Sequence, residues 1–237
     1  MKRVVMAALG AAYACFAAPK PEELVECPVS ENLRGHENTE WSRAYAYGLA
    51  DSSRNLPRVL LVGDSIVCGY EGGVRRELRG KMNVSYLATS YCVTSPGYMK
   101  LLSFHLGEAK YDVIHFNNGL HSLGTPTEDW AKGFRKALEL IRAMQPQAKI
   151  VWATSTPLKD PKKTAKSREL NEAGAKIVAE MGGIATDDLF AAMDPLDREK
   201  DWNDTYHFKR HVIAQQAKLV AAACLKALKA SNSPHSR

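Results

Sequence analysis

Val59-Leu60-Leu61-Val62-Gly63-Asp64-Ser65 is the most informative stretch of the chain. Its four consecutive apolar residues, with a β-branched valine at each end, predict a short buried strand of a parallel sheet. Gly63 ends that strand, so Asp64 and Ser65 fall at its carboxyl edge, where open α/β sheets bind their ligands. We therefore expect the Ser65 hydroxyl to face a cleft.

A serine hydroxyl is a weak nucleophile until a base accepts its proton and a third group orients that base. Far downstream, Asp204-Thr205-Tyr206-His207 offers a carboxylate and an imidazole three residues apart, a spacing that one helical turn would bring together. Each motif alone has a commonplace explanation, since Gly-Asp-Ser is a frequent turn and Asp-x-x-His often caps a helix or lies on a surface. Together, one after the first apolar strand and one before the last helix, they indicate a Ser-His-Asp triad.

This arrangement resembles the SGNH (GDSL) hydrolase family, whose first block is a strand ending in Gly-Asp-Ser and whose last block is Asp-x-x-His. The resemblance covers roughly residues 58–228. It implies a serine hydrolase in which Ser65 is the nucleophile, His207 the base and Asp204 the group that orients the base. It also implies an oxyanion hole formed by the Ser65 backbone N–H and by the asparagine of a middle block, Gly-x-Asn-Asp.

Laid on His115-Phe116-Asn117-Asn118, the middle block makes Asn117 the oxyanion donor, and a register shifted by one residue would make it Asn118. His115 departs from the pattern, because it stands where glycine is usual, and Asn118 stands where aspartate is usual. Residues 87–97 also lack a glycine directly after their strand, which leaves a further donor open among residues 90–93 and Gly97.

Three residues near these motifs are candidates for substrate binding: Asp64, Asn118 and His121. A lone histidine in such a loop is more often a structural hydrogen-bonding group than a ligand-binding one. No Cys-x-x-Cys spacing is present, and we expect neither a metal nor a cofactor.

The N-terminus predicts export. Lys2-Arg3, an apolar run over residues 4–14 and the small pair Ala17-Ala18 have the layout of a secretory signal peptide spanning residues 1–17. The apolar run is too short for a membrane-spanning helix. Cys15 as a lipoprotein acceptor is the weaker alternative, so we expect a periplasmic or extracellular protein.

Composition agrees with a globular domain, at 45% hydrophobic and 24% charged residues. Loss of the two cations Lys2 and Arg3 lowers the formal charge from +6 to +4, and the remaining basic residues are dispersed, which argues against nucleic-acid binding. Outside the leader the cysteines are Cys27, Cys68, Cys92 and Cys224, which either pair in one of three connectivities or stay as free thiols.

Residues 18–57 show no clean period and predict an N-terminal extension, in which Trp41, Tyr45 and Gly48 could share one face of a short helix. We favour packing of this extension on the domain surface over a role as a wall of the substrate cleft. Residues 58–230 then alternate between strands and helices, and residues 231–237 form a polar tail.

The predicted strands are 59–62, 83–87, 112–116, 149–153 and 184–186, and the predicted helices are 72–80, 96–107, 126–144, 167–181 and 208–229. Repeated β-α units imply a parallel sheet with helices on both faces. With the resemblance, this predicts one hydrolase domain that is a three-layer α/β/α sandwich, flavodoxin-like, around a mostly parallel five-stranded sheet.

The implied activity is that of an exported esterase that removes small acyl groups, such as acetyl, from carbohydrate-type esters through an acyl-enzyme. Two alternatives stay open: a lipid esterase or thioesterase of the same fold, and an exported glycan-binding module without activity. The partner is in each case a small-molecule or glycan ester, and the oligomeric state is left open.

Overall fold

A computed structural model of the protein describes residues 19–25, 37–48, 55–95 and 97–230. The predicted signal peptide, Cys15, Cys27 and the polar tail lie outside these residues. Six strands form one sheet: β1 Ser42–Tyr45, β2 Arg58–Gly63, β3 Asn83–Thr89, β4 Val113–Phe116, β5 Lys149–Ala153 and β6 Ile184–Asp187. Their order is β1-β3-β2-β4-β5-β6, and every pair is parallel except β1 with β3.

The described helices are α1 Pro21–Val25, α2 Ser65–Glu77, α3 Tyr98–Leu106, α4 Thr127–Met144, α5 Pro161–Met181, α6 Leu189–Met193, α7 Arg198–Asp201 and α8 Arg210–Lys229. Helices α2, α6 and α8 contribute to the core on one face of the sheet, and α1, α3, α4 and α5 to the core on the other. This confirms the predicted three-layer α/β/α sandwich. Among the described residues, no helix has both the length and the apolar character needed to cross a membrane.

Strand β2 shows why an unbroken apolar run predicts a central strand. Val59 and Leu61 pack into the core beneath α2 and α8, whereas Leu60 and Val62 pack into the core beneath α3 and α4. All four side chains are buried, since successive residues of a strand point to opposite faces and both faces here are covered by helices.

The sheet has one strand more than predicted. The segment with Trp41 and Tyr45 is not a short helix but the antiparallel edge strand β1, in which Tyr45 is paired with Tyr86 of β3. The two tyrosine rings meet edge to face at 4.6 Å, and the Tyr45 hydroxyl donates to the Glu71 carboxylate. Pairing between strands that are distant in the sequence leaves no local periodicity, which is why the sequence wrongly predicted a short helix here.

Helix α2 begins at Ser65, well before the predicted start at Gly72, because Asp64 caps it and its glycines serve packing rather than chain reversal. At Gly73 a Cβ would lie 2.5 Å from the Ala217 Cβ of α8, so α2 and α8 approach too closely for a side chain there. At Gly72 the nearest atom to such a Cβ is the guanidinium of Arg76, 3.9 Å away.

We expect Gly73→Ala to be less stable than its neighbour variant Gly72→Ala. Each substitution gains about 1 kcal/mol of helix propensity, but a methyl group forced into a packed interface costs about 1–3 kcal/mol. Urea unfolding should therefore show a higher free energy of unfolding for Gly72→Ala than for wild type, and a value about 1–3 kcal/mol lower for Gly73→Ala than for Gly72→Ala. Equal free energies for the two variants would contradict this account of the α2–α8 contact.

The structure tests the predicted cysteine pairings for three of the four cysteines. Cys68, Cys92 and Cys224 form no disulfide with one another, and Cys92 and Cys224 are buried whereas Cys68 is half-buried on α2. No disulfide therefore joins these three described cysteines.

Candidate active site

Ser65 is the first residue of α2, directly after strand β2. The Asp64 side chain accepts a hydrogen bond from the Ile66 N–H at 2.9 Å and so caps the helix. Because the first N–H groups of a helix have no partner within it, the Ser65 backbone N–H is placed to bind an anion at this edge of the sheet.

Asp204 and His207 lie in a loop before α8, not on the helical turn that their spacing suggested. The loop is closed by a bridge between Trp202 and Phe208, whose buried rings are 4.5 Å apart. Inside it, the Asp204 carboxylate accepts the backbone N–H groups of Tyr206 and His207, each at 2.8 Å. The aspartate thus shapes the loop that carries the histidine.

The structure brings the three predicted triad residues together. His207 Nε2 lies 2.8 Å from Ser65 Oγ, across 142 residues of sequence. On the other side of the ring, His207 Nδ1 lies 2.8 Å from Asp204 Oδ2 and 3.0 Å from Oδ1. Burial alone would raise the pKa of Asp204, but the backbone N–H groups of His207 and Tyr206 and the His207 imidazole outweigh it and hold that pKa below its usual range.

Asp64, a candidate substrate-binding residue, is instead buried behind the nucleophile. Its Oδ1 caps α2, and its Oδ2 has no hydrogen-bond partner among the described residues. Burial raises the pKa of this carboxyl, against the opposing influence of the His121 imidazole, the Ile66 N–H and the His207 imidazole. The helix-capping bond accounts for its place better than substrate contact does.

The two asparagines after β4 connect neighbouring loops. Asn117 Nδ2 donates to the Ala153 carbonyl at 2.7 Å and to Ser155 Oγ at 3.2 Å, so both of its amide hydrogens are engaged. Asn118 Nδ2 donates to the Tyr91 carbonyl at 2.9 Å, and its Oδ1 accepts from the Val93 N–H at 3.2 Å. Both side chains are buried.

Most of the backbone donors left open after β3 are also in use. The Ser90 N–H donates to the Trp41 carbonyl at 3.0 Å, and the Tyr91 N–H donates to Thr89 Oγ1 at 3.2 Å. The Val93 N–H, as noted, donates to Asn118. The β1 segment thus occupies one of the positions that the resemblance had left for an oxyanion donor.

His121 lies on a 3-10 turn, Leu120–Ser122, at the mouth of the cleft. Its Nδ1 is 2.5 Å from Glu37 Oε1, and its ring meets the Trp41 ring edge to face at 5.9 Å. Glu37 and Trp41 belong to the N-terminal extension, so these contacts favour the interpretation of the extension as a wall of the cleft over simple surface packing. Sequence reasoning missed Glu37 entirely, because nothing local connects it to residue 121.

A cavity of about 380 Å³ opens beside His121. It is lined by Glu37, Leu120, His121, Leu123, Gly124, Thr125 and Tyr206. Tyr206 precedes His207, so this cavity adjoins the triad. His115, which stands where the family pattern has glycine, is buried with its Nε2 2.9 Å from Asp187. His211 pairs with Asp201 at 2.8 Å on the surface. Among the described residues, no group of three His, Cys, Asp or Glu side chains could hold a metal ion.

Comparison with solved structures defines the class of fold. A family 3 carbohydrate esterase from Clostridium thermocellum matches with a TM-score of 0.61 at 17% identity, over 75% of this chain and 100% of its own. An acetyl esterase mutant with an acetate ion matches with a TM-score of 0.61 at 13% identity, over 75% and 100%. A member of the lipolytic G-D-S-L family from Veillonella parvula matches with a TM-score of 0.55 at 18% identity, over 73% and 98%.

The chain therefore has the fold of the SGNH (GDSL) hydrolases, as the sequence resemblance implied. At the level of sequence it matches no protein-family model and no curated protein.

Proposed function

We propose that the protein is an exported serine esterase that removes small acyl groups, above all acetyl, from carbohydrate-type esters. The observation that carries the proposal is the hydrogen-bonded chain from Ser65 Oγ through His207 to Asp204, with contacts of 2.8 Å at both nitrogens of the ring. Three groups from two distant segments meet in the order that nucleophilic catalysis requires.

In the proposed mechanism, Ser65 Oγ attacks the ester carbonyl carbon while His207 Nε2 accepts the hydroxyl proton. His207 then gives that proton to the oxygen of the leaving alcohol as the C–O bond breaks, which leaves the acyl group on Ser65. Water attacks the acyl carbon and gives a proton to His207, and this proton returns to Ser65 as the acid departs. Asp204 holds the hydrogen on Nδ1 and offsets the positive charge of the imidazolium.

The oxyanion of the tetrahedral intermediate is stabilised first by the Ser65 backbone N–H at the start of α2. Asn117, the side-chain donor implied by the family resemblance, would have to break its bonds to Ala153 and Ser155 to take part. The second hydrogen-bond donor to the oxyanion is therefore open to another residue.

The polar lining of the cavity near the triad supports a polar alcohol. The cavity lined by Asp64 and Ile66 has a volume of only about 10 Å³, room for one water molecule. By contrast, the cavity of about 380 Å³ beside Tyr206 carries the carboxylate of Glu37, the imidazole of His121 and two hydroxyl groups. Hydroxyl-rich alcohols such as sugars suit that lining. The fold likeness to carbohydrate esterases and an acetyl esterase agrees with this choice.

Export to the periplasm or the cell exterior is part of the same proposal. Its support is the layout of residues 1–17, with lipid attachment at Cys15 as the weaker alternative.

The acyl preference tests the substrate class. As the proposed preference for small acyl groups requires, hydrolysis of nitrophenyl esters from acetate to long chains should be fastest on acetate and fall as the chain lengthens. Release of acetate from acetylated oligosaccharides is then measured. A maximum at long chains would favour a lipid esterase or thioesterase, and a folded protein that hydrolyses none of these esters would favour a glycan-binding module.

A further inference from the structure

The candidate site has one oxyanion donor that the fold supplies directly, the Ser65 backbone N–H. A hole with a single donor is weak, since each donor to an oxyanion contributes about 10²–10³-fold in kcat. The Asn117 amide is bonded elsewhere, as are one N–H of the Asn118 amide and the backbone N–H groups of Ser90, Tyr91 and Val93. A second donor that faces the cavity beside the triad would complete the hole.

The backbone after β4 delivers such a group. At Gly119 a Cβ would lie 1.7 Å from Ser155 Oγ, so the chain passes over the end of β5 at a point where no side chain fits. It then turns through Leu120–Ser122, with Leu120 and Ser122 buried and His121 left at the cleft. The tight passage at Gly119 therefore presents the imidazole on the cleft side.

His121 has one ring nitrogen held and one available. Nδ1 is bonded to Glu37, and the Trp41 ring meets the imidazole edge-on. A carboxylate can only accept a hydrogen bond, so Nδ1 carries the hydrogen of that contact. No described residue bonds to Nε2, which carries a hydrogen only when the ring is an imidazolium.

The cavities place His121 close to the segment that carries Ser65. His121 lines one cavity together with Tyr206, the neighbour of His207. Leu120, the neighbour of His121, lines a second cavity together with Asp64 and Ile66, the two neighbours of Ser65. In agreement with this placement, the imidazoles of His121 and His207 both oppose the rise in the pKa of the Asp64 carboxyl that burial causes.

From this geometry we infer that His121 is the second oxyanion donor, a catalytic residue that bonds the developing oxyanion through Nε2–H, and that Glu37 is its positioning residue. The inference rests on the proposed esterase function. His121 transfers no proton: the Ser65 proton still passes to His207 and then to the leaving alcohol, while the imidazolium only stabilises the negative charge on the carbonyl oxygen.

The two histidines must then differ in protonation state during the reaction. His207 acts as a neutral base, whereas His121 donates as an imidazolium. The titratable groups facing His121 among the described residues are Glu37 and Glu40 before β1, Asp64 before α2, and Tyr206 and His207 before α8.

The test compares kcat and KM for nitrophenyl acetate in wild type, His121→Ala, His121→Asn and Glu37→Gln. We expect His121→Ala to lower kcat about 10²–10³-fold with little change in KM. His121→Asn should recover at least about tenfold of that loss, because its amide can still donate a hydrogen bond. Glu37→Gln should lower kcat less than His121→Ala does and leave KM unchanged, since the carboxylate that holds the imidazole is lost.

The matched control is His211→Asn, which removes a histidine that also pairs with a carboxylate but is exposed on the surface. It should leave kcat unchanged. A Ser65-dependent activity that His121→Ala leaves within threefold of wild type, or lowers through KM alone, overturns the inference by itself. A His121→Asn variant that is no faster than His121→Ala does the same. Equal rates for wild type and Ser65→Ala would instead overturn the esterase proposal, and this inference with it.

Discussion

Replacement of Ser65 by alanine should lower kcat on nitrophenyl acetate by about 10⁴- to 10⁶-fold, the loss found when the nucleophile of a catalytic triad is removed. Without Oγ the acyl group has nothing to attach to, although the remaining groups still bind and polarise an ester. The fold should be unaffected, since the Asp64 side chain that caps α2 stays in place.

The rate is measured with enough protein to detect the residual activity, and thermal unfolding verifies that the variant is folded. Ser103→Ala is the matched control, because Ser103 is also a helical serine but lies on α3, which packs on the other face of the sheet. It should keep the wild-type rate. Similar rates for Ser65→Ala and wild type would remove Ser65 from the mechanism.

Replacement of Asp204 by asparagine should lower kcat about 10⁴-fold, nearly as much as Ser65→Ala does. The new amide would donate to His207 Nδ1, so the ring would carry its hydrogen on Nε2 and could not accept the Ser65 proton. The loop should survive, because the amide oxygen can still accept the Tyr206 and His207 N–H groups. The effect should therefore appear in kcat with the fold intact.

Asp201→Asn is the control for this variant, since Asp201 also bonds a histidine, His211, but far from Ser65. It should leave kcat unchanged, and equal losses in both variants would contradict a specific role for Asp204.

The stability of the protein should also depend on pH through Asp204. The pKa of Asp204 is lowered in the folded protein, so its contribution to the free energy of unfolding is present above the pKa of a free aspartate, about 4, and is lost as pH falls through the folded value.

The sequence predicted most of the fold because the relevant signals are local. The apolar run Val59-Leu60-Leu61-Val62 predicts a strand that is buried on both faces, and the observed strand β2 includes all four residues. The remaining parallel strands and long helices repeat the same alternation at spacings that favour β-α units. The predictions were wrong at two places. Helix α2 continues through glycines that were interpreted as its boundaries. The edge strand β1 was predicted to be a helix.

By itself, then, the sequence determined the layered α/β architecture and predicted Ser65, Asp204 and His207 as a candidate triad, since hydrophobic runs and short motifs are encoded in adjacent residues. Only the tertiary structure decided how the polar groups around Ser65 are bonded. The Asn117 amide is bonded to the end of β5, and Glu37 reaches His121 across 84 residues. A hydrogen-bonding side chain has many suitable partners in sequence, and folding selects the one that lies within about 3 Å.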